Sequence, residues 1–250
     1  MRVRIRFTKT GNMKYIGHLD VMRYFQKVLR RAEIDVSFSG GFSPHMIMSF
    51  AAPLGVGTTS GGEYFDLDLQ NAPSGQELMD RMNAQMNEGM SVVSIRKIKE
   101  DKASKGMSLV AAADYTISLD LSETAEEAAQ NCIRTAMGLP EKTEGFMAQQ
   151  EINVWRKTKR SEGEVNIRPW IYSFSCEMDE NQVPVFHMRV SQGSVSNLKP
   201  DLVVKAFAEY AGFEIPQGAL RIHREDILAN VGPESKPKLI SMGRLGEEIE

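Results

Sequence analysis

The chain begins with an alternation of polar and apolar residues that is typical of a half-buried β-strand. In residues 2–8, Val3, Ile5 and Phe7 share one side, and arginines occupy the other. From residue 18 to about 32 the spacing becomes helical, which predicts an amphipathic helix. The predicted apolar stripe of this helix is Leu19, Met22, Phe25, Leu29 and Ala32.

Strands and a second helix follow in an alternating order. Ser74 followed by Glu77 resembles a capping box, so a helix is expected to begin there. The resulting order of strand, helix, strands, helix and strand is the signature of a ferredoxin-like α+β sandwich. The further predicted strands of this half are residues 35–38, 46–51, 63–69 and 91–98.

The pattern recurs in the second half without obvious sequence identity. Pro200 suits the first turn of a helix, and Gly212 can end that helix. A further helix is predicted from residue 122 to about 137. The predicted strands are residues 114–121, 146–154, 165–176, 185–190 and 220–222.

The predicted fold class is therefore α+β, with two tandem ferredoxin-like units. The first unit is expected to span residues 1–100 and the second residues 114–229, with a linker over 99–113. The tail over 230–250 contains Gly, Pro and charged residues, and we expect it to be loosely held.

Composition narrows the class of protein. Of 250 residues, 42% are hydrophobic and 25% are charged, as in an ordinary soluble globular protein. Cys132 and Cys176 lie far apart and form no CxxC pair, which favours a reducing, cytoplasmic location. A cysteine-held iron–sulfur cluster within this chain is excluded, since such clusters normally need four thiolates. No apolar run approaches the ~20 residues of a membrane span, and the N-terminus is typical of a strand, not of a signal peptide.

Charge is unevenly distributed along the chain. Residues 1–62 carry nine basic and three acidic side chains, a net charge of +6, so the remaining residues sum to −9. Segregation of this kind favours a surface that faces a polyanion. A solvated helix face is the alternative. Basic side chains share one flank of the first predicted helix at Arg23, Lys27, Arg30 and Arg31.

Several motifs resemble one known family. They are Ile16-Gly17-His18-Leu19-Asp20, Gly41-Phe42-Ser43-Pro44-His45 and, in the second half, Lys157-Thr158-Lys159 with Ile167-Arg168-Pro169. Together they resemble the uncharacterised radical-SAM-linked family, a domain found alone or fused behind a radical SAM enzyme. The resemblance spans roughly residues 2–205. It implies association with radical SAM chemistry on tRNA or ribosomal RNA, and it supplies no established activity.

Three positions depart from this family. Lys27 stands where the family usually has Arg, so the charge is kept but the planar fork for bidentate phosphate contact is lost. Asn166 replaces a frequent Asp, which weakens a metal or acid–base role there. Met46 replaces a common Pro.

Two loops and the basic helix together favour RNA binding. Glycines at 40–41 and 61–62 allow the backbone to approach a ligand closely, or they turn a hairpin. Phe42 is either a core residue or a surface on which an unpaired base stacks. The predicted nucleic-acid-binding residues are Lys9, Arg23, Lys27, Arg30, Arg31, Phe42, Lys157, Lys159 and Arg168.

Catalysis and protein docking are the competing functions. His18 or His45 could act as the general base of a metal-independent endoribonuclease, which makes these the two candidate catalytic residues. The spacings of His18, Asp20, His45 and Glu63 match no compact metal motif, so neither a metal nor a cofactor is predicted. The principal prediction is an RNA-binding accessory module that works with a radical SAM enzyme. The second alternative is a docking domain with no nucleic-acid role.

Overall fold

The computed structural model describes residues 1–71, 73–157, 162–193, 196–233 and 237–250. It divides into two compact units. Unit 1 comprises Met1–Ala112 and Arg224–Glu250, and unit 2 comprises Ala113–His223. The chain therefore leaves unit 1 and returns to it, whereas the sequence predicted that residues up to 229 belong to the second unit.

Unit 1 is an antiparallel sheet with helices. Its strands are β1 (Arg2–Lys9), β2 (Met48–Phe50), β3 (Thr59–Asp68), β4 (Met90–Ile98), β11 (Leu239–Ser241) and, from residue 224, β10 (Leu220–Asn230). Its helices are α1 (His18–Arg31), α2 (Gly75–Asn83) and α3 (Gly106–Leu109). The strand order is β4-β1-β3-β10, with β2 also paired to β3 and β11 paired to β10.

Unit 2 also mixes strands and helices. Its strands are β5 (Val110–Leu119, from residue 113), β6 (Asn153–Lys157), β7 (Glu162–Asn166), β8 (Ile171–Met178) and β9 (Pro184–Ser191). Its helices are α4 (Glu126–Ala136), α5 (Leu139–Ala148) and α6 (Pro200–Ala211). Its sheet has the strand order β5-β9-β8, and β6 and β7 form a separate antiparallel pair. The α+β class is thereby confirmed, and the tandem ferredoxin-like arrangement stays a prediction.

The alternation in β1 places its two sets of side chains on opposite faces of the sheet. Val3, Ile5 and Phe7 are buried in the core that also contains the inner side of α1. Phe7 and Phe25 of α1 have ring centroids 4.6 Å apart, and Phe25 and Phe65 of β3 are 4.7 Å apart. This aromatic cluster fixes α1 on one face of the sheet, because edge-to-face and tilted ring pairs add to the free energy of apolar burial.

The predicted helix ends are confirmed for α2 and α6. The backbone N–H of Glu77 donates to Ser74 Oγ at 3.2 Å, which satisfies a donor at the start of α2. Pro200 begins α6, and Gly212 ends it with a φ of +68°. A positive φ of this kind favours glycine, since a Cβ atom would be strained there.

Residues 146–154 were predicted as a strand, and this prediction is wrong for residues 146–152. The segment Leu139–Ala148 forms α5, with Gly138 in the left-handed region and a proline in the first turn. Leu139 and Phe146 are buried at a spacing of seven residues, which places both on one side of a helix. The strand begins only at Asn153.

The tail over 230–250, expected to be loosely held, is docked on unit 1. Residues 239–241 pair with β10, and Lys97 and Glu247 exchange two backbone hydrogen bonds of 2.8 and 2.9 Å. Met242 is completely buried in a cluster with Tyr64 and Ile227. The composition of the tail predicted a mobile segment. Apolar burial and backbone hydrogen bonds to the edge strand β4 nevertheless hold it on unit 1.

Candidate nucleic-acid interface

Helix α1 presents basic side chains to solvent, while its other side is buried and apolar. The exposed cations follow one another at intervals of four, three and one residues, so they lie on one flank of the helix. We call this set the basic face. Its members are Arg23, Lys27, Arg30 and Arg31.

Little within unit 1 neutralises the basic face. Arg23 Nη1 lies 3.2 Å from Asp20 Oδ1, but both side chains are more than 60% exposed, and such pairs contribute little free energy. Arg31 Nη2 donates to the carbonyl oxygen of Gln85 at 2.7 Å. Lys27 and Arg30 make no hydrogen bond or ion pair with any residue that the structure describes. Four cations and the single carboxylate of α1 leave the helix with a net charge of +3.

Apolar side chains are exposed where α1 begins. Tyr15, Leu19 and Val56 are each more than 60% exposed. The Nζ atom of Lys14 lies 5.1 Å from the centre of the Tyr15 ring, and the carbonyl oxygen of Lys14 accepts from the N–H of Gly57 at 2.8 Å. An exposed aromatic ring beside cations is a common means of stacking an unpaired base. Lys14 and Tyr15 were not among the binding residues predicted from the sequence.

The prediction that Leu19 belongs to the buried stripe of α1 is wrong. The buried residues are Val21, Phe25, Val28 and Leu29. Leu19 precedes Val21 by two residues, which corresponds to a rotation of roughly 200° around the helix. Leu19 therefore lies on the exposed side, next to the basic face.

Phe42 lies on the surface, so of the two interpretations of this residue the core position is excluded. Its side chain is fully exposed in the loop over residues 39–45. Gly41, with a φ of +98°, allows the sharp turn before it. A phenylalanine that contacts almost nothing is available to a ligand.

Two other cations of the N-terminal segment are neutralised by carboxylates of the neighbouring strand β3. Strand register places Arg2 opposite Asp68 and Arg4 opposite Asp66, and both pairs are bidentate. Arg6 lies opposite Tyr64, whose hydroxyl donates to Asp226 Oδ1 at 2.5 Å. Acidic residues of β3 thus pair with two of the nine cations of residues 1–62, and the basic face of α1 remains in solvent.

Lys9 was predicted to bind nucleic acid, and the structure corrects this. Lys9 is 1% exposed, and its Nζ donates to the carbonyl oxygens of Lys14 and Ile16 at 3.3 and 3.0 Å. It therefore holds the segment that leads into α1 and cannot contact a phosphate on the surface.

A buried ionic cluster lies beneath the start of α1. Arg224 Nε and Nη2 donate to the Glu63 carboxylate at 2.7 and 2.5 Å, and both side chains are less than 5% exposed. Lys9, His18 and Glu63 line a small cavity that also includes Phe7 and is about 10 Å³ in volume. That volume is about enough for a single water molecule. No local pattern predicts this role of Arg224, because its partner lies 161 residues away.

Burial lowers the pKa of two basic groups in this cluster. Removal from water lowers the pKa of Lys9, with the charge of Glu63 opposing and that of Arg224 adding to the effect. Removal from water also lowers the pKa of His18, again opposed by Glu63. The imidazole of His18 packs edge-on against Phe50, with ring centroids 5.4 Å apart. These contacts favour a neutral His18 near neutral pH.

The two candidate catalytic histidines are not brought together. His18 lines the cavity on the α1 face of the sheet, with Phe7. His45 is exposed, accepts or donates a hydrogen bond at Nδ1 with Ser39 Oγ at 2.9 Å, and lines a groove with Arg2 and Asp68. Since the arginines of β1 point away from α1, the histidines lie on opposite faces of the sheet.

The remaining predicted residues belong to unit 2. Arg168 is half-buried, and its guanidinium donates to the carbonyl oxygens of Met147 and Ile171 at 3.0 and 3.1 Å. These bonds give Arg168 a role in packing unit 2. The side chain of Lys157 and all of Lys159 lie outside the described residues.

No group of three or more His, Cys, Asp or Glu side chains suited to a metal ion occurs within the described ranges. Both cysteines are buried and free, and burial raises the pKa of each thiol.

Asn166, where the related family often has Asp, accepts from the N–H groups of Ile152 and Arg168 at 3.1 and 2.9 Å. Its amide therefore braces a turn.

None of the helices in the described part of the chain combines the length and apolar character needed to cross a bilayer.

Comparison with known proteins identifies a family. The model of DUF2344, described as an uncharacterised protein conserved in bacteria, matches residues 2–200. No curated protein matches the chain. Among solved structures, a chain in the crystal structure of a Cbf5-Nop10-Gar1 complex is similar with a TM-score of 0.43 and 10% identity. The match covers 90% of this chain and 48% of that one, so this chain spans about half the length of its structural neighbour.

Proposed function

The chain belongs to the DUF2344 family of uncharacterised proteins conserved in bacteria, and we propose that it binds RNA through the basic face of α1. In this proposal the protein is an accessory module that presents tRNA or ribosomal RNA to a radical SAM enzyme in the cytoplasm.

One observation carries the RNA proposal. Lys27 and Arg30 are exposed cations without a protein partner among the described residues, on a helix whose own carboxylate pairs with Arg23. In a protein of net charge −3, four cations on one helix flank favour a polyanionic ligand. Phosphate contacts from such a surface position RNA without reading its sequence.

Exposed rings support a single-stranded target. Tyr15 precedes the basic face along the chain, and Phe42 stands free on its loop. Stacking on such rings suits unpaired bases, which occur in loops and ends of folded RNA. The proposal therefore favours loops of tRNA or ribosomal RNA over continuous duplex.

The test is filter binding of tRNA and ribosomal RNA fragments at several salt concentrations. We compare the wild type with a variant carrying Lys27→Ala and Arg30→Ala. The matched control carries Lys102→Ala and Lys238→Ala, which removes the same charge from exposed positions elsewhere in unit 1. Each lost phosphate contact should reduce the slope of log affinity against log salt by roughly 0.7 for single strands.

We expect the Lys27/Arg30 variant to bind at least about tenfold more weakly than the control, a change of about 1.4 kcal/mol. Equal affinities of the two variants, or no binding by the wild type at low salt, would discard the proposal. The same RNA is followed on a gel for cleavage. Cleavage that is lost in His18→Ala would favour the endoribonuclease alternative instead.

The radical SAM partner rests on the resemblance carried by Gly17-His18-Leu19-Asp20 and Gly41-Phe42-Ser43-Pro44-His45. Its test is co-purification of the tagged chain from bacterial lysate, with and without nuclease. An accessory role with RNA predicts that a radical SAM enzyme is recovered and that RNA is recovered with it. Nuclease-insensitive recovery of the enzyme, with no RNA retained, would favour the docking domain.

A further inference from the structure

We infer that a cavity of about 660 Å³ in unit 1 binds a small molecule in which one anionic group is attached to an apolar body. The cavity lies on the face of the sheet that carries Arg4, opposite α1. It is bordered by the end of β4, by α3 and its preceding loop, and by the docked tail at Leu245–Glu247. Its volume is within the range of about 300–1,000 Å³ that is usual for small-molecule sites.

Arg4 is a rigid donor in the wall of this cavity. Its side chain is 2% exposed, Nε and Nη2 donate to Asp66 at 2.8 and 3.1 Å, and Nη2 also donates to the carbonyl oxygen of Ser104 at 2.7 Å. The N–H of Gly106 also donates to Asp66 Oδ2 at 2.6 Å, so this carboxylate accepts three hydrogen bonds within unit 1. Arg4 Nη1 makes no hydrogen bond with a described residue, and it is the donor left for a ligand.

The cavity is otherwise largely apolar. Ile98, Leu109, Val231 and Leu245 contribute to its wall. Val231 is 48% exposed, although valine is commonly buried. Apolar lining with one oriented polar group is the usual construction of a site that orients an amphipathic ligand.

The charge of the lining favours an anion over a cation. The charge of Arg4 is balanced by Asp66, and the remaining charged residues of the lining are Lys97, Lys99 and Glu247. Their formal sum is +1. A carboxylate or a phosphate monoester accepts from Arg4 in the same way, so both are sources of the anionic group.

The test is calorimetric titration of the full chain with octanoate and with octyl phosphate. 1-Octanol serves as the neutral ligand of the same length. Val231→Trp fills the cavity, and Val93→Trp is the matched control, since Val93 is 42% exposed on β4 and does not line the cavity. Lys99→Glu inverts one charge of the lining, and Lys102→Glu makes the same change outside it.

We expect one equivalent of octanoate or octyl phosphate to bind, with affinity at least about tenfold above that of octanol. Val231→Trp and Lys99→Glu should each weaken binding severalfold, whereas their controls should match the wild type. Equal affinity for octanol, uptake of several equivalents, or wild-type binding by Val231→Trp would overturn the inference. The site is independent of the basic face, so RNA binding should be unchanged in Val231→Trp.

Discussion

Glu63 and Arg224 form a bidentate ion pair inside unit 1, although 161 residues separate them in the chain. Their shortest N–O distance is 2.5 Å, and neither side chain is more than 4% exposed. The pair joins β3 to the segment that returns from unit 2. Glu63 is also the only carboxylate among the described residues that line the cavity beside Lys9 and His18.

Breaking this pair should be costly, and the two single variants should differ. Glu63→Gln removes the buried carboxylate that pairs with Arg224 and faces Lys9, so we expect a loss of about 3–5 kcal/mol in the free energy of unfolding. Arg224→Gln should cost less, because Glu63 still faces Lys9. Urea denaturation followed by circular dichroism measures both variants.

The control for the ion pair is Asp120→Asn, which removes the partner of the much more exposed Arg221 in unit 2. This variant should lose far less stability than Glu63→Gln, because water screens an ion pair between exposed side chains. Equal losses in Glu63→Gln and Asp120→Asn would contradict the buried cluster.

His18 should make unfolding depend on pH near neutrality. Its folded pKa is lowered by burial, so the unfolded chain binds more protons than the folded chain below the ordinary pKa of about 6.5. The contribution of His18 to stability is therefore present above that pH and is lost as the pH falls through it. Urea midpoints measured from about pH 5 to 7.5 should rise with pH, and His18→Gln should remove part of this slope.

A wild-type pH dependence of the urea midpoint in His18→Gln would contradict the burial of His18.

Met242 should anchor the C-terminal tail. It is completely buried with Tyr64 and Ile227, so Met242→Ala should cost about 2–5 kcal/mol through lost apolar contacts and a residual cavity. Met137→Ala is the matched control, since Met137 is 76% exposed. Similar unfolding free energies for the two variants would restore the expectation of a loosely held tail.

Gly62 should not tolerate a side chain. A Cβ atom at this position would lie 2.7 Å from Asp226 Oδ1 and 2.8 Å from the carbonyl oxygen of Glu225. We expect Gly62→Ala to destabilise the protein by about 1–3 kcal/mol, as overpacking does. Gly163→Ala, where no atom lies within 4 Å, should be neutral in the same thermal or urea melt.

Phe42 should affect RNA affinity and not stability. Its exposed ring contributes no packing, so Phe42→Ala should unfold within about 0.5 kcal/mol of the wild type. If the ring stacks on a base, the same variant should lose about 1–3 kcal/mol of binding free energy for single-stranded RNA. Unchanged affinity would remove Phe42 from the proposed interface.

Local patterns predicted the elements that depend on local forces. The alternation around Val3, Ile5 and Phe7 identified β1 and its buried face. Ser74 marked the start of α2, and Gly212 the end of α6. These predictions succeeded because strand alternation, capping hydrogen bonds and backbone conformation act within a few residues.

The same patterns failed where a distant segment decided the outcome. Gly62 was expected either to admit a ligand or to turn a hairpin, and it instead lies within β3 and admits the backbone of β10. Lys9 was expected on the surface, and it is held inside by two carbonyl oxygens. The composition of the tail predicted mobility. Composition contains no information on the edge strand β4, which binds the backbone of Glu247 through two hydrogen bonds.

The sequence by itself determined the α+β class, the amphipathic α1 and the order of charges along the chain. Only the tertiary structure decided which charges are available. Strand register, set by the buried faces, paired Arg2 and Arg4 with Asp68 and Asp66, while Lys27 and Arg30 stayed in solvent. The periodicity of a helix or strand predicts which residues of the same element share a face. Ion pairing depends instead on residues that folding brings next to that face from tens of positions away in the chain.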